Sequence, residues 1–259
     1  MTLHANFDRD GWLVLPHDAG VANWAKAAHS AALAVTADPV MQTRWLRHGG
    51  TWFVGVDALP NDKDGSIGGI PLTGPWQDFV HAPPVWHKAQ LSVVHPGYPG
   101  RDPGESDAAH RFRHDRDAAH LDGLLAEGPA KRRFLREPHG FILGLPLTPM
   151  TTGTGAFVVW DGSHRIINQA FSTAYAGHGP ADWGNIDVTD IYQPTRRTVL
   201  DTCPRRAVIA QPGQMILVHR QAIHGSAPWV DGATGPHEGR MIAWFRPILT
   251  DPANWLDPR

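Results

Sequence analysis

His120-Leu121-Asp122 places an imidazole and a carboxylate two residues apart. On an extended strand, residues i and i+2 point the same way, so the pair can grip one ion between them. With 16 His and 25 acidic residues in a chain of 259, roughly 1.5 such triplets arise by chance, so the triplet carries meaning only with a third ligand. His224 is the candidate. It follows the apolar run QMILVH and is itself followed by Gly225-Ser226, in a turn where a side chain can point into a sheet-lined cavity. Two imidazoles and one carboxylate on one face of an octahedron leave three positions open, the arrangement used by non-haem Fe(II) oxygenases. His219, His178 and His164 compete for the third place, and Asp122, followed by Gly123, also reads as a turn residue accepting backbone N–H groups.

A site of this kind needs a sheet to hold it. Short apolar runs bounded by Gly and Pro occur at 51–56, 90–94, 141–147, 155–160, 206–210, 214–219 and 240–245, rich in Val, Ile, Phe and Trp. They predict seven or more strands. A further short run, DGWLVLP at 10–16, leads into a helix capped by Asp18, with Val21, Trp24, Ala25, Ala28 and Ala32 at helical spacing. The expected fold is therefore mainly β with flanking α-helices, a double-sheet jelly roll, or double-stranded β-helix of the cupin kind, in one domain over 1–259. Stretches 95–113 and 172–205 exceed the usual loop length and are expected to be lids or binding loops. The run KRRFLRE at 131–137 is expected to be a solvated helical face with Phe134 and Leu135 packed inward.

The composition excludes several classes. A net charge of -2 and a charged fraction of 19% do not suit a nucleic-acid binder. No run of about 18 apolar residues suggests a membrane span, and the opening residues do not resemble a secretory leader, so cytoplasm is the expectation. Cys203 is the single cysteine, so a metal here must be held by nitrogen and oxygen. A small-molecule substrate is the expected partner; the sequence is silent on oligomeric state.

The order of these segments resembles the phytanoyl-CoA dioxygenase-like family of Fe(II)/2-oxoglutarate-dependent oxygenases. FDRDGWLVLP is similar to that family's N-terminal strand, and His120-Leu121-Asp122 follows. GTGAFVVWDGSHR at 153–165 is like its glycine-rich strand ending in Gly-Ser-His, and QPGQMILVHRQAIHGSAPW and then GRMIAWFRP complete the set. The resemblance implies that His120, Asp122 and His224 hold Fe(II), and that Arg240 binds the distal carboxylate of 2-oxoglutarate, with Ser226 adding a hydroxyl. A planar guanidinium suits that task because it can give two parallel charge-assisted hydrogen bonds. Arg246 competes, since it shares Arg240's strand face by even spacing. The resemblance also implies a dioxygenase that uses O2, releases succinate and CO2, and hydroxylates an unactivated C–H bond; Asp122 favours hydroxylation over halogenation, which in related enzymes goes with a small residue there. Two departures stand out: Trp160-Asp161 replaces the family's usual proline before Gly-Ser-His, and VDGATGPHEG lengthens the connection from His224 to Arg240.

Substrate recognition is read from two places. RWLRHGGTWFVGVDALPND at 44–62 offers Trp52 and Phe53 as a pocket wall, with Arg44, Arg47, Asp57 and Asn61 as polar anchors. RFRHDR at 111–116 offers Arg113 and Arg116 to an anionic group, which points to a small carboxylate-bearing metabolite. Two alternatives stay open: a jelly-roll metalloenzyme of another class, such as a cupin-like isomerase or a hydrolase, and a non-catalytic small-molecule binding module.

Overall fold

The computed structural model describes residues 2–257, so Met1, Pro258 and Arg259 of the expected 1–259 span lie outside it. In chain order the elements are α1 (Leu3–Asp10), β1 (Trp12–Leu15), α2 (Ala19–Ala37), α3 (Pro39–Trp45), β2 (Leu46–Arg47), β3 (Trp52–Gly55), β4 (Gln90–Val94), α4 (Asp107–Asp115), β5 (Leu124–Glu127) and β6 (Arg132–Leu135). There follow β7 (Phe141–Pro146), β8 (Phe157–Trp160), α5 (Ser163–Ala174), α6 (Thr189–Thr202), β9 (Arg205–Val208), β10 (Met215–His219), β11 (His224–Ser226) and β12 (Arg240–Phe245). All seven apolar runs are strands.

A seven-stranded antiparallel sheet in the order β1-β10-β7-β12-β4-β3-β2 faces a three-stranded sheet, β11-β8-β9. This is the expected jelly roll. Ile142, Ile216, Val218, Ile242 and Trp244 from the large sheet meet Phe157, Val159 and Val208 from the small one in a shared core. The outer face of the large sheet, with Leu91, Val93, Leu143, Leu217, Met241 and Phe245, packs on α2. Both faces of the large sheet are covered, which is why its strands read as unbroken apolar runs rather than as alternating ones. α2 buries Val21, Trp24, Ala25, Ala28 and Ala32, and Asp18 accepts the Val21 N–H at 3.0 Å. Val158 and Trp160, on the far side of the small sheet, pack with Ile167, Phe171, Tyr192 and Val199 of α5 and α6.

Three expectations are corrected. Residues 132–135 form a strand, not a helical face: Gly128 and Lys131 have positive φ and close a turn, and β6 pairs with β5. Leu135 is buried, and Arg132 and Arg136 find Asp187, Asp190 and Glu127. Second, 172–205 is largely helical. α6 forms despite Pro194 in its interior, because burying Tyr192 and Val199 outweighs a local cost of about 3 kcal/mol. Third, 95–113 is not wholly irregular: α4 begins at Asp107, capped by Ser106. Helix α1, capped by Thr2, was not anticipated either.

Candidate metal centre

His120 and His224 sit opposite each other across an isolated antiparallel bridge, exchanging both backbone hydrogen bonds at 2.9 and 3.1 Å. Asp122 follows two residues on. One ligand atom from each of His120, Asp122 and His224 lies within 4.8 Å of the others, and among the described residues no other such group of three occurs. His120 Nε2 is 3.2 Å from Asp122 Oδ1, and His224 Nε2 is 3.4 Å from Asp122 Oδ2. Each imidazole is turned by its other nitrogen: Nδ1 of His120 lies 2.9 Å from the Ala118 carbonyl, and Nδ1 of His224 lies 2.9 Å from the Ala222 carbonyl. A carbonyl can only accept, so both Nδ1 atoms carry the proton and both Nε2 lone pairs are free for a cation. Two neutral imidazoles and one carboxylate converge as a facial set suited to a divalent transition metal.

The carboxylate is kept ionised. Burial opposes its charge, but the Arg246 guanidinium beside it outweighs burial and holds the Asp122 carboxyl well below its ordinary range. Arg246 Nη1 donates to Asp122 Oδ2 at 3.2 Å, its Nη2 donates to Gln90, and its backbone N–H donates to His87 Nε2 at 2.7 Å. The Asp122 side chain is therefore fixed from outside the metal position. The centre is open on one side only: the His120 side chain is 49% exposed, against 6% for His224 and 9% for Asp122.

Two glycines make the centre possible. A Cβ on Gly225 would lie 2.1 Å from the Asp117 carbonyl, and one on Gly123 would lie 2.1 Å from the Glu137 carbonyl. Asp117, clamped by Arg205 through two hydrogen bonds at 2.6 and 2.7 Å, accepts the Ser226 N–H and so ties the His120 loop to β11. Gly225→Ala is expected to push that loop off β11, destabilise the fold by about 1–3 kcal/mol and weaken metal binding; urea denaturation and metal titration of the same variant check both effects.

A cavity of about 210 Å³ adjoins the centre. Trp52, Val54 and Val56, then Gln90 and Ser92, then Ile142, Trp244 and Arg246 line it from the large sheet, and Phe157, His224 and Ser226 line it from the small one. Of the 44–62 wall, Trp52 is in place, with its Nε1 donating to Ser92 at 3.1 Å. Phe53 faces the α2 core, Asn61 is buried and accepts the Ala89 N–H, Asp57 lies 3.4 Å from His87, and Arg44 and Arg47 are exposed. Gln90, Ser92, Ile142, Phe157 and Trp244 were not foreseen. The period of two along β4 sets Gln90 and Ser92 on one face and Leu91 and Val93 on the other, so the two polar residues are the signal in the sequence that could have marked the hollow side.

The two arginines of the last strand separate clearly. Arg246 is at the metal end, committed to Asp122 and Gln90. Arg240 is at the other end of the same face, 1% exposed, in register with Val94, which in turn pairs with Trp52. Its Nη2 donates to the Gly155 carbonyl at 2.7 Å, and its Nε has no hydrogen-bond partner. No carboxylate among the described residues forms an ion pair with it, and burial pushes its pKa down to about 10. Ser226 follows His224 on β11 and lines the cavity.

The other candidates fall elsewhere. Arg113 is ion-paired with Glu105, and Arg116 lies 3.7 Å from Asp201; neither lines the cavity. His178 lies in the turn after α5. His164 and His219 lie with ring centroids 4.8 Å apart and planes tilted by 44°, outside the triad, and both are buried. Burial lowers the His164 pKa below its ordinary 6.5. A group with a depressed folded pKa contributes stability that is present above the unfolded value and is lost as pH falls through the folded one. The melting temperature should therefore decline below about pH 6.5, and His164→Gln should make that decline shallower in a thermal scan from pH 8 to 5.

No family model matches the chain, and no curated protein matches it by sequence. Solved structures do. The carbocyclase SnoK of nogalamycin biosynthesis, a non-haem α-ketoglutarate-dependent enzyme, superposes with a TM-score of 0.55 at 12% identity, covering 95% of this chain and 84% of SnoK. EctD from S. alaskensis, with 2-oxoglutarate and 5-hydroxyectoine, gives 0.48 at 17% identity, covering 95% and 76%. HygX from Streptomyces hygroscopicus, with nickel, 2-oxoglutarate and hygromycin B, gives 0.47 at 15%, covering 95% and 86%. The likeness to SnoK establishes a shared jelly-roll fold. Among the described residues no helix is long and apolar enough to cross a membrane.

Proposed function

We propose that the protein is an Fe(II)- and 2-oxoglutarate-dependent dioxygenase, of the phytanoyl-CoA dioxygenase-like kind, that hydroxylates a C–H bond of a small, carboxylate-bearing molecule. One observation carries the reading. A fully buried guanidinium, Arg240, has no carboxylate partner and keeps an orphaned Nε, at one end of β12, just beyond whose other end Arg246 reaches Asp122 of the His-Asp-His group. A buried cation without a counter-ion is costly, and such a group persists where a ligand completes it. A dicarboxylate with one end on the metal and the other on Arg240 fits both halves. An isomerase or hydrolase of this fold would need the triad but would leave Arg240 unexplained, and a binding module would leave the oriented imidazoles unexplained.

His120, Asp122 and His224 would hold the metal, Arg240 the distal carboxylate of the cosubstrate, and Ser226 a polar contact between them. When bound, iron with 2-oxoglutarate and O2 supplies the oxidising chemistry, with release of succinate and CO2. The protein's own work is geometric. Arg246 and Gln90 hold Asp122 ionised and in place, Trp52, Phe157 and Trp244 keep water from the metal, and the open edge beside His120 admits the substrate.

The test is an anaerobic titration of metal-free protein with Fe(II) and then 2-oxoglutarate, watching for the weak visible charge-transfer band of the chelate. Appearance of the band at one equivalent of each supports the reading. Tight Fe(II) binding with no band assigns the protein to another metalloenzyme class, and no metal binding removes the triad from consideration.

A further inference from the structure

On the outer side of the His120–Asp122 segment lies a second cavity of about 290 Å³, which shares His120, Asp122 and Arg246 with the first. Its remaining wall includes Arg133, Tyr192 and Arg196, with Glu137 at the edge. We propose that this cavity seats an anionic group of the substrate, a carboxylate or a phosphate, between Arg133, Arg196 and the Tyr192 hydroxyl. The proposal rests on the oxygenase reading for what happens to the substrate, but not for the anion site itself.

The argument begins with which arginines are already satisfied. On β6 successive side chains point to opposite sides. Arg132 is neutralised by Asp187 and Asp190, and Arg136, just beyond the strand, by Glu127. Arg133 makes only a 3.2 Å hydrogen bond to the Leu124 carbonyl and has no carboxylate partner. Arg196 likewise has none: its guanidinium lies over the rings of Phe112 at 4.7 Å and Tyr192 at 5.4 Å, and donates to the Ala119 carbonyl at 3.3 Å. Stacking holds the planar fork in a fixed plane, which is the preorganisation that bidentate recognition of an oxyanion requires. Arg113 and Arg116, the arginines that the sequence offered for this task, are both paired with acids.

Tyr192 adds direction. Its hydroxyl accepts the Leu121 N–H at 3.0 Å, so its own hydrogen remains to be donated. Burial raises its pKa, which keeps that hydrogen in place. Leu121 stands between the two metal ligands His120 and Asp122, so an oxyanion on Tyr192 is one residue removed from the metal centre. Glu137 is the single opposing charge not already balanced by an arginine, and it lies 3.4 Å from His139.

The experiment uses the metal-free 259-residue chain and two probes, inorganic phosphate and butyrate, titrated by calorimetry. One equivalent of saturable binding is expected for at least one probe. Arg133→Gln and Arg196→Gln should each weaken it tenfold or more, Tyr192→Phe several-fold, and Arg44→Gln, at an exposed arginine that lines neither cavity, not at all. Binding of phosphate alone assigns a phosphate-bearing substrate; binding of butyrate as well assigns the shared oxyanion chemistry. Absence of saturable binding by either probe overturns the proposal, as does binding indifferent to Arg133 and Arg196. Circular dichroism of each variant separates loss of the site from loss of the fold. Neither iron nor 2-oxoglutarate is present, so a missing charge-transfer band would defeat the oxygenase reading while leaving this result standing.

Discussion

Arg240→Met is expected to weaken 2-oxoglutarate binding by about a hundredfold while leaving the metal-free fold as stable as the wild type, or more so. Two terms set the stability. Removing the guanidinium leaves the Gly155 carbonyl without its donor, a loss of about 1 kcal/mol. It also removes a buried, uncompensated cation, and replacing buried charge by an apolar side chain of similar volume is often neutral or favourable by about 1–4 kcal/mol. The second term is the larger, because Arg240 is 1% exposed and its Nε is unsatisfied. Binding moves the opposite way. Losing one partner of a buried, hydrogen-bonded charge pair costs about 2–5 kcal/mol, so apparent affinity for 2-oxoglutarate should fall by about a hundredfold. Arg240→Lys should fall between the two, since it keeps the charge and loses the fork. Urea midpoints of the metal-free proteins and cosubstrate titrations of the Fe(II) forms read the two effects separately. A variant that loses stability and keeps 2-oxoglutarate affinity would make Arg240 a structural residue and leave the cosubstrate without its anchor.

The same arginine shows what the sequence could and could not reveal. Arg240 and Arg246 share a strand face by even spacing, and nothing in the one-dimensional pattern ranks them. The ranking comes from which strand lies across from each end of β12 and from where Asp122 reaches. The strands themselves were legible, because each buries apolar residues between Gly and Pro turns, and α2 was legible to its capping residue. β6 was misread because three arginines and a lysine suggest a solvated helix, whereas the carboxylate partners of Arg132 and Arg136 lie 9 to 58 residues away in the chain. α6 was missed because Pro194 argues locally against a helix that long-range packing sustains. The His-Asp-His group was legible in part: the i, i+2 pair offers two side chains to one point, but His224 joins them only through the bridge that sets it opposite His120. The second cavity was hidden for the same reason as the ranking of the arginines. Whether an arginine is available depends on whether an acid reaches it, and that is a property of the fold.

His224→Ala should remove Fe(II) binding with little loss of structure, and that contrast tests the centre most directly. The side chain is 6% exposed, so its removal leaves a small void and frees the Ala222 carbonyl from its Nδ1 donor, together a loss on the order of 2 kcal/mol. The backbone exchange with His120 does not involve the side chain and persists. Loss of an outer partner of a metal ligand already weakens affinity about 10–100-fold, so loss of a ligand should weaken it by more than that. The remaining His120 and Asp122 form an incomplete face, and the charge-transfer band with 2-oxoglutarate should vanish. His219→Ala is the control: it removes a histidine of similar burial, at the end of β10 and outside the triad. If His219→Ala abolishes metal binding and His224→Ala preserves it, the third ligand has been misassigned and the facial set must be rebuilt around a different histidine. If both variants bind iron as the wild type does, the metal lies elsewhere, and the oriented Nε2 atoms of His120 and His224 serve only their contacts to Asp122.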